Sequence, residues 1–250
     1  MGSPFFRFKQ FTVWHDRCAM KVGTDGVLLG TWCPLTNCQS PIGNCRILDI
    51  GTGSGLIALI LAQRFTHYLS LINQESQLSI DAIDIDQSAV EQAIYNFTQS
   101  PFAPHLKAHH ATLQDWNEKP YDLIVSNPPY FQQSLKNPNA QRTLARHTDT
   151  LSYSELIAHA ARLLKNTGTL ALVLPIEAEE EIITLASNHH LYPTHITHVH
   201  SKPGKPAKRL LIAFTPIANT PSPTPKTFYI EGENQPRSEE YQVLTKDFYL

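Results

Sequence analysis

The segment that decides the fold of this chain is RILDIGTGSG, at residues 46–55. It begins as a short apolar run, continues as a glycine-rich turn, and is followed by an apolar stretch of helix length at residues 56–65. A buried strand that passes through glycines into a helix is typical of α/β folds with a parallel sheet. Glycines at such a junction let the backbone approach a ligand closely, and the helix start leaves amide donors unpaired.

Strand-like and helix-like segments alternate on the C-terminal side of this turn. We expect further strands at residues 79–85, 106–110, 121–125, 168–174, 194–200 and 209–215, and helices at residues 87–98, 152–165 and 177–188. Asp86 is expected to cap the first of these helices, and Ser152 with Glu155 three residues later predicts a capping box at the second. Repeated β-α-β units predict an α/β fold with a doubly wound, mostly parallel, seven-stranded sheet.

The two ends of the chain fall outside this alternation. We expect residues 1–45 to form a small N-terminal extension over the ligand-binding side of a core at residues 46–217. Three prolines within residues 218–226 predict an extended linker. Residues 238–248 are expected to form a short amphipathic helix, so that the segment 218–250 docks back on the core.

Composition and charge exclude several classes of protein. Hydrophobic residues make up 42% of the 250 residues and charged residues 17%, so a sizeable core is expected and disorder is not. The net charge of -2 argues against a surface covered by basic charge but allows a local basic patch. We find no signal peptide and no apolar run of about 18 residues, so we expect a cytoplasmic protein. The four cysteines form no C-x-x-C pair and are expected to be reduced thiols.

The spacing of the glycines favours one class of ligand over another. A nicotinamide dinucleotide fingerprint has the form G-x-G-x-x-G, whereas this turn reads G-x-G-x-G and follows the acidic residue Asp49. A carboxylate there would repel a pyrophosphate but suits a cation that carries an amino group and a sulfonium. The pattern resembles the first motif of class I methyltransferases. It predicts S-adenosylmethionine as cofactor, with Asp49, Gly51, Gly53 and Gly55 at the binding site.

Two further acidic residues are candidates for the same site. Asp84, followed by Ile85, stands where the second strand ends, and a carboxylate there can accept hydrogen bonds from both ribose hydroxyls of a nucleoside. Asp115 follows the third strand and is placed to accept from the adenine amine of the cofactor. No metal ion is expected at this site.

The fourth strand runs straight into the sequence Asn127-Pro128-Pro129-Tyr130. The exocyclic amine of adenine is a poor nucleophile, because its lone pair is delocalised into the ring. The Asn127 side-chain oxygen and the Pro128 carbonyl can accept its two hydrogens and direct the lone pair at a methyl group. The prolines fix these acceptors, and Tyr130 offers a flat face on which the base can stack. The loop therefore predicts methylation of a planar amine.

Longer stretches of the chain carry a resemblance to a known family. They are FKQFTV (residues 8–13), HDRCAMKVGTDGVLLG (15–30), DIGTGSG (49–55), NPPYF (127–131) and DFYL (247–250). On these motifs nearly the whole chain resembles the bacterial tRNA1(Val) adenine-37 N6-methyltransferases. The resemblance implies a Rossmann-like class I core and methyl transfer from S-adenosylmethionine to N6 of the adenine just 3′ of the anticodon in one valine tRNA. S-adenosylhomocysteine is the implied product.

The resemblance also adds candidate cofactor contacts near the N-terminus. In that family the segment matching residues 21–25 lies across the cofactor, which makes Lys21, Thr24 and Asp25 candidates. From the residues alone, the same segment is also compatible with a turn or a helix start capped by Thr24 or Asp25.

A chain with a slight acidic balance needs local basic patches to hold RNA. The candidate phosphate contacts are Arg7, Lys9, Arg17, Arg142, Arg146, Lys205, Lys208 and Arg209. Phe8, Phe11 and Trp14 are interleaved with the first of them. The histidines at residues 195, 198 and 200 have no carboxylate or cysteine beside them in the sequence, so we expect no metal site. The expected partner is tRNA, without a membrane or an obligate protein partner.

Other functions stay open on the sequence. The catalytic loop also suits the glutamine side-chain amide of a protein or N2 of a guanine in rRNA, because these acceptors are planar amines too. A cofactor-binding or RNA-chaperone module without catalysis is a further alternative, although the presence of Asp49, Asp84 and Asn127 argues against it. A DNA methyltransferase is less expected, since no separate target-recognition domain is visible.

Overall fold

The computed structural model describes residues 3–18, 20–35, 44–72, 77–129, 151–218 and 223–250. The strands in chain order are β1 (Phe5–Arg7), β2 (Thr12–Trp14), β3 (Cys45–Ile50), β4 (Leu78–Asp84), β5 (Leu106–His110), β6 (Tyr121–Ser126), β7 (Leu164–Pro175), β8 (Tyr192–His200), β9 (Ala207–Thr215) and β10 (Lys226–Tyr229). The helices are α1 (Thr24–Trp32), α2 (Leu56–Ile72), α3 (Gln87–Thr98), α4 (Tyr153–Leu163), α5 (Glu179–Asn188) and α6 (Glu239–Thr245).

One large sheet runs through the described part of the chain in the order β10-β8-β9-β7-β6-β3-β4-β5. Strands β3 to β7 pair in parallel, β9 runs antiparallel to both of its neighbours, and β10 pairs in parallel with β8. The chain moves from β3 outward to β4 and β5, then returns to the other side of β3 with β6. This reversal creates a crevice at the carboxyl ends of β3 and β6, where ligands bind in open α/β sheets.

Helices cover both faces of this sheet and enclose two apolar cores. One core contains side chains of α1, α2 and α3, including Leu29, Leu59 and Phe97. The other contains side chains of α4 and α5, including Leu156 and Ile182. The central strands β3 and β6 are covered on both faces, so most of their residues are buried and apolar. The predicted α/β, doubly wound and mostly parallel fold is confirmed.

The local signals at helix starts are confirmed as well. The Asp86 carboxylate caps α3 by accepting the Ser88 N–H at 2.9 Å. At α4 the Ser152 hydroxyl accepts the Glu155 N–H at 3.2 Å, and the Glu155 carboxylate accepts the Ser152 N–H at 2.9 Å, which completes the predicted capping box.

The eighth strand, β10, was not predicted. It has four residues and contributes a single buried side chain, Phe228, to the core. Its hydrogen-bonding partner is the otherwise open edge of β8, where Lys226 lies opposite Thr197. A strand that short and that polar has no apolar run or alternation to mark it, because its pairing depends on an edge formed elsewhere in the chain.

The two ends of the chain pack against each other. Strands β1 and β2 form an antiparallel hairpin, and the predicted C-terminal helix is present as α6. The Lys9 N–H donates to the Phe248 carbonyl at 2.8 Å, and the Phe8 ring stacks on Tyr249 with centroids 5.8 Å apart. The buried side-chain amide of Gln63, on α2, donates to the Asp247 carbonyl at 2.9 Å.

The cysteines correct one expectation. Cys18 and Cys33 are free thiols, but Cys45 is disulfide-bonded, so the prediction that all four are reduced is wrong. The absence of a C-x-x-C pair carried no information about this bond, because a disulfide depends on proximity in the fold. Among the described helices, none combines the length and apolar character needed to cross a bilayer.

Candidate active site

A cavity of about 700 Å³ opens at the carboxyl ends of β3, β4 and β6. Its volume lies within the range of small-molecule and cofactor sites. Among the residues that the structure describes, the predicted site residues that line it are Gly51, Gly53, Asp84, Ile85, Asp115, Asn127, Pro128 and Pro129. The fold therefore brings the glycine loop, the two acidic candidates and the Asn-Pro-Pro loop to one place, although the chain separates them by up to 78 positions, from Gly51 to Pro129.

The glycine loop turns sharply between β3 and α2. Gly51 and Gly53 have φ angles of 68° and 55°, in the left-handed region that favours glycine. A Cβ atom added at either residue would meet no protein atom within 4 Å, so open space beside the loop is available to a ligand. Gly55 differs, because a Cβ atom there would lie 2.4 Å from the Phe97 ring and the residue does not line the cavity. Its role is close packing of α2 against α3.

Asp84 holds the glycine loop and faces the cavity at the same time. One carboxylate oxygen accepts the Gly53 N–H at 2.9 Å, and the other accepts the Asp86 N–H at 3.0 Å. Each oxygen can accept a further hydrogen bond, since an ionised carboxylate has about four acceptor positions. The carboxylate is therefore oriented by its own backbone and remains able to accept from a ligand in the cavity.

Asp49 lies behind the glycine loop and outside the cavity wall. Its side chain is fully buried, one oxygen accepts the Thr52 hydroxyl at 2.7 Å, and the other has no hydrogen-bond partner among the described residues. Burial, together with the nearby negative charge of Asp84, raises its pKa from 3.8 to about 7. Asp49 therefore holds the glycine loop through its hydrogen bond with Thr52 and does not line the cavity.

The opposite wall combines apolar and polar groups. Ile85 and Leu113 supply apolar surface, and Asp115 stands in a turn in which its carboxylate accepts the Thr112 hydroxyl at 2.7 Å. Gln114 also lines the wall, and its amide donates to the Glu155 carboxylate at 3.4 Å.

The sequence pattern did not identify Gln114 and Glu155 as site residues. Glu155 was recognised only as a partner in the capping box. Hydrogen bonds from Ser152 lower the pKa of Glu155, so its charge is retained at the cavity.

The Asn-Pro-Pro loop directly follows strand β6 and lines the cavity. The strand is buried along its whole length, and Ser126 lies opposite Ile50 in the parallel pairing with β3. The Ser126 hydroxyl donates to the Ile50 carbonyl at 2.9 Å, which ties the end of β6 to the residue before the glycine loop. Asn127 follows at once and is half-buried at the cavity. Tyr130 lies outside the described residues.

The N-terminal segment contributes two wall residues that were not predicted. Cys18 and Met20 line the cavity, whereas the candidates Lys21, Thr24 and Asp25 do not. Lys21 is exposed, Thr24 is the first residue of α1, and the Asp25 carboxylate accepts the Arg209 guanidinium at 2.9 Å. The N-cap of α1 is Gly23, so neither Thr24 nor Asp25 is the cap. A contact made by a loop across the cavity leaves no periodic signal in the sequence.

The candidate RNA contacts divide into exposed and engaged side chains. Arg7, Arg17, Lys205 and Lys208 are exposed. Lys9 donates to the Lys246 carbonyl, and Arg209 is paired with Asp25. Arg142 and Arg146 lie outside the described residues.

Two of the aromatic residues near the first basic patch have a structural role. Phe8 and Phe11 are buried in the apolar core, so neither ring is presented to RNA. Trp14 is half-buried.

The three histidines of β8 have separate partners. His198 lies 2.8 Å from the Glu179 carboxylate, His195 meets Trp32 edge to face, and His200 bonds to the Lys205 carbonyl at 2.6 Å. The sequence did not reveal Glu179 as a neighbour of His198, because it reaches the strand from α5. Within the described ranges, no group of three metal-binding side chains is present.

One family model matches most of the chain, and named relatives align with nearly all of it. The family model "Methyltransferase small domain" matches residues 27–187. A relative in Parabacteroides distasonis, named tRNA1(Val) (adenine(37)-N6)-methyltransferase, is 49% identical and aligns with 100% of this chain and 99% of its own. Relatives with the same name in Bacteroides fragilis and Aeromonas salmonicida are 45% and 43% identical, over 100% and 98% of this chain and 99% and 97% of their own.

Solved structures with low sequence identity share the fold. A predicted O-methyltransferase of Agrobacterium tumefaciens has a TM-score of 0.65 at 17% identity and covers 90% of this chain and 96% of its own. Geranyl diphosphate C-methyltransferase of Streptomyces coelicolor has a TM-score of 0.50 at 11% identity, over 69% of this chain and 72% of its own. These likenesses show the architecture and carry no information about the acceptor.

Proposed function

Since the chain belongs to the tRNA1(Val) (adenine(37)-N6)-methyltransferases, we propose that its cavity is the place where a methyl group passes from S-adenosylmethionine to N6 of adenine 37 in tRNA1(Val). The chain is an S-adenosylmethionine-dependent methyltransferase that acts on adenine N6 in tRNA. The main support for this site is that Asn127, Asp84 and the glycine loop line the same cavity.

The cavity suits S-adenosylmethionine in shape and in chemistry. The open space beside Gly51 and Gly53 lets the methionine part approach the backbone. The oriented carboxylate of Asp84 would accept hydrogen bonds from the ribose hydroxyls. Ile85 and Leu113 would supply apolar surface for the adenine, and Asp115 would accept from its amine. Bound there, the cofactor supplies an electrophilic methyl group on a sulfonium.

The Asn-Pro-Pro loop prepares the target amine. The Asn127 side-chain oxygen and the Pro128 carbonyl accept the two N6 hydrogens and favour a pyramidal nitrogen whose lone pair points at the methyl group. The prolines restrict the loop backbone, so these acceptors need little reorganisation. Tyr130 provides the face on which adenine stacks after it leaves the anticodon loop.

Transfer by this route depends on positioning, and no strong general base is required. In-line displacement is efficient when nucleophile and electrophile are held in line at close distance. The proton leaves N6 after the nitrogen has gained positive charge, so a weak acceptor or water suffices. No metal ion takes part.

The tRNA is held by separate basic patches, because the chain carries a net charge of -2. The exposed Arg7, Arg17, Lys205 and Lys208 contact phosphates. Arg142 and Arg146, which follow the catalytic loop in the sequence, are further candidates for the same role. A tRNA substrate places the enzyme in the cytoplasm.

Transfer of labelled methyl from S-adenosylmethionine to unmodified tRNA tests the proposal. The wild-type chain should give N6-methyladenosine at position 37 of tRNA1(Val). Asn127→Ala should lower kcat by about 100-fold or more, because a preorganised acceptor is lost. The matched control is Asn117→Ala, at an exposed asparagine outside the cavity, which should keep wild-type activity.

The alternative acceptors give distinct outcomes in the same experiment. Label in a release-factor-like protein but none in tRNA would move the activity to a glutamine amide. N2-methylguanosine in rRNA would move it to guanine. Full activity of Asn127→Ala would remove the catalytic loop from the mechanism.

A further inference from the structure

The N-terminal segment crosses the cofactor cavity after leaving the hairpin. We call residues 14–18 and 20 the strap, because Cys18 and Met20 form part of the cavity wall while Trp14 is still paired in β2. The strap has little secondary structure of its own after Trp14. Its position therefore depends on bonds to neighbouring elements.

One buried amide supplies three of those bonds. Asn96 of α3 is fully buried, and its side-chain oxygen accepts the Trp14 N–H at 2.9 Å. Its side-chain nitrogen donates to the Trp14 carbonyl and to the Ser54 carbonyl, both at 2.8 Å. The amide thus pairs with Trp14 as a neighbouring strand would, and it also binds the glycine loop. The strap, α3 and the loop meet at this single side chain.

A second amide holds the strap closer to the cavity. Gln92 lies one helical turn before Asn96 on α3, and residues four apart share a helix face. Its side chain is 1% exposed, and its oxygen accepts the Arg17 N–H at 3.2 Å. Arg17 directly precedes the wall residue Cys18. On the same helix Ala89 itself lines the cavity, so one side of α3 both supports the strap and faces the ligand.

We propose that Asn96 and Gln92 are positioning residues for cofactor binding, a role that rests on the proposed function of the cavity. Neither side chain lines the cavity. They act by fixing the strap that carries Cys18 and Met20, and Asn96 also fixes the loop at Ser54. Buried amides are suited to this task, because breaking their bonds leaves polar groups unpaired inside the protein.

Direct measurement of S-adenosylmethionine binding by calorimetry, together with steady-state kinetics, tests the role. Asn96→Ala removes three hydrogen bonds and should raise the Kd and KM for S-adenosylmethionine about tenfold or more. Gln92→Met removes one acceptor at similar size and should raise both by about threefold to tenfold. For both variants kcat at saturating cofactor and KM for tRNA should stay within about twofold of wild type. Gln99→Ala, at an exposed amide at the end of the same helix, is the matched control and should change nothing.

Hydrogen exchange provides a readout that a general loss of stability would not reproduce. The Trp14 and Arg17 amides donate to Asn96 and Gln92, so they should exchange faster in the respective variants. Amides of the central strands β3 and β6 exchange through global opening, so their exchange should accelerate by a clearly smaller factor. Gln92→Met keeps the test available if Asn96→Ala does not fold, since it removes a single bond.

The outcomes separate this proposal from the one on which it rests. Wild-type protein that binds no S-adenosylmethionine would overturn the proposed function and the positioning role together. Wild-type binding with an unchanged Kd in both variants would overturn the positioning role alone. So would faster exchange spread evenly over the sheet, or a fall in kcat without a change in Kd.

Discussion

Asp49 and Asp84 are carboxylates on adjacent strands with opposite surroundings. Asp84 reaches the cavity and accepts two backbone N–H groups, whereas Asp49 is fully buried with one oxygen unpaired among the described residues. Burial favours the neutral acid and raises the pKa of Asp49 to about 7. In the folded protein Asp49 is therefore neutral below about pH 7, although an unfolded chain would ionise it at much lower pH.

This difference makes Asp49 a source of pH-dependent stability. Between about pH 4 and pH 7 the folded state binds a proton that the unfolded state has lost, so the free energy of unfolding falls as pH rises. The shift corresponds to a loss on the order of 4 kcal/mol across that window. Asn cannot ionise, so Asp49→Asn should remove this part of the slope.

Urea unfolding of both proteins at several pH values between 5 and 8 measures the effect. The stability of the variant relative to wild type should increase with pH and level off above about pH 7. The slope is the prediction, because the new Asn amide also loses or gains hydrogen bonds by an amount that does not depend on pH. Parallel curves for the two proteins would contradict it.

At the scale of an element, α4 links folding to the cavity through its first turn. The capping box at Ser152 and Glu155 satisfies N–H groups that the helix start would leave unpaired. Glu155 then reaches the cavity wall, while Leu156 and Ile157 of the next positions are buried in the second apolar core.

Removal of the cap should destabilise the protein by a modest amount. Ser152→Ala should lower the free energy of unfolding by about 1 kcal/mol, since an N-cap hydrogen bond is lost. The melting temperature should fall by about 2–4 °C in a chain of this size. Ser154→Ala, at an exposed serine in the same turn, is the control and should leave the melting temperature unchanged. Equal effects of the two substitutions would argue against the capping box as the cause.

Elements with a local signal were predictable from the sequence. Strands β3 and β6 are buried on both faces and are therefore mostly apolar, and α3 and α4 have their capping residues directly before the helix. The meeting of the glycine loop with Asn127 could also be predicted, because parallel strands bring their carboxyl ends to one edge.

Features that depend on distant partners were not predictable. Strand β10 exists because β8 leaves an edge open, and the strap reaches the cavity through the amides of Gln92 and Asn96 on α3. The orientation of Asp49, away from the cavity, follows from the Thr52 hydroxyl and from the packing around it. Such contacts join residues that are far apart in the sequence and follow no regular spacing, so no local sequence pattern marks them.

At the scale of the whole molecule, the two edges of the sheet offer a test of RNA binding. Lys205 is exposed between β8 and β9, and Lys208 is exposed at the start of β9, near one edge. Lys107 is exposed on β5 at the other edge. A net charge of -2 means that tRNA binding must come from local patches.

Removal of charge near the first edge should weaken tRNA binding. The double variant Lys205→Ala, Lys208→Ala should raise the Kd for tRNA about tenfold. The slope of log Kd against the logarithm of the salt concentration should decrease by the amount expected for about two lost phosphate contacts. The Kd for S-adenosylmethionine should not change. Lys107→Ala with Lys119→Ala removes the same charge elsewhere and serves as the control. Similar losses in both double variants would show that overall charge, and no specific surface, governs tRNA binding.

The contact between the two chain ends has a consequence for how the protein is made. The hairpin that leads into the strap packs against Phe248 and Tyr249, which follow it by about 240 positions in the chain. A growing chain on the ribosome can pair β3 to β7 before these two residues have been made. The hairpin finds its partner only after they emerge. The wall formed by Cys18 and Met20 is then completed later than the central strands, so a chain that stops before residue 248 carries the sheet without the support of this contact.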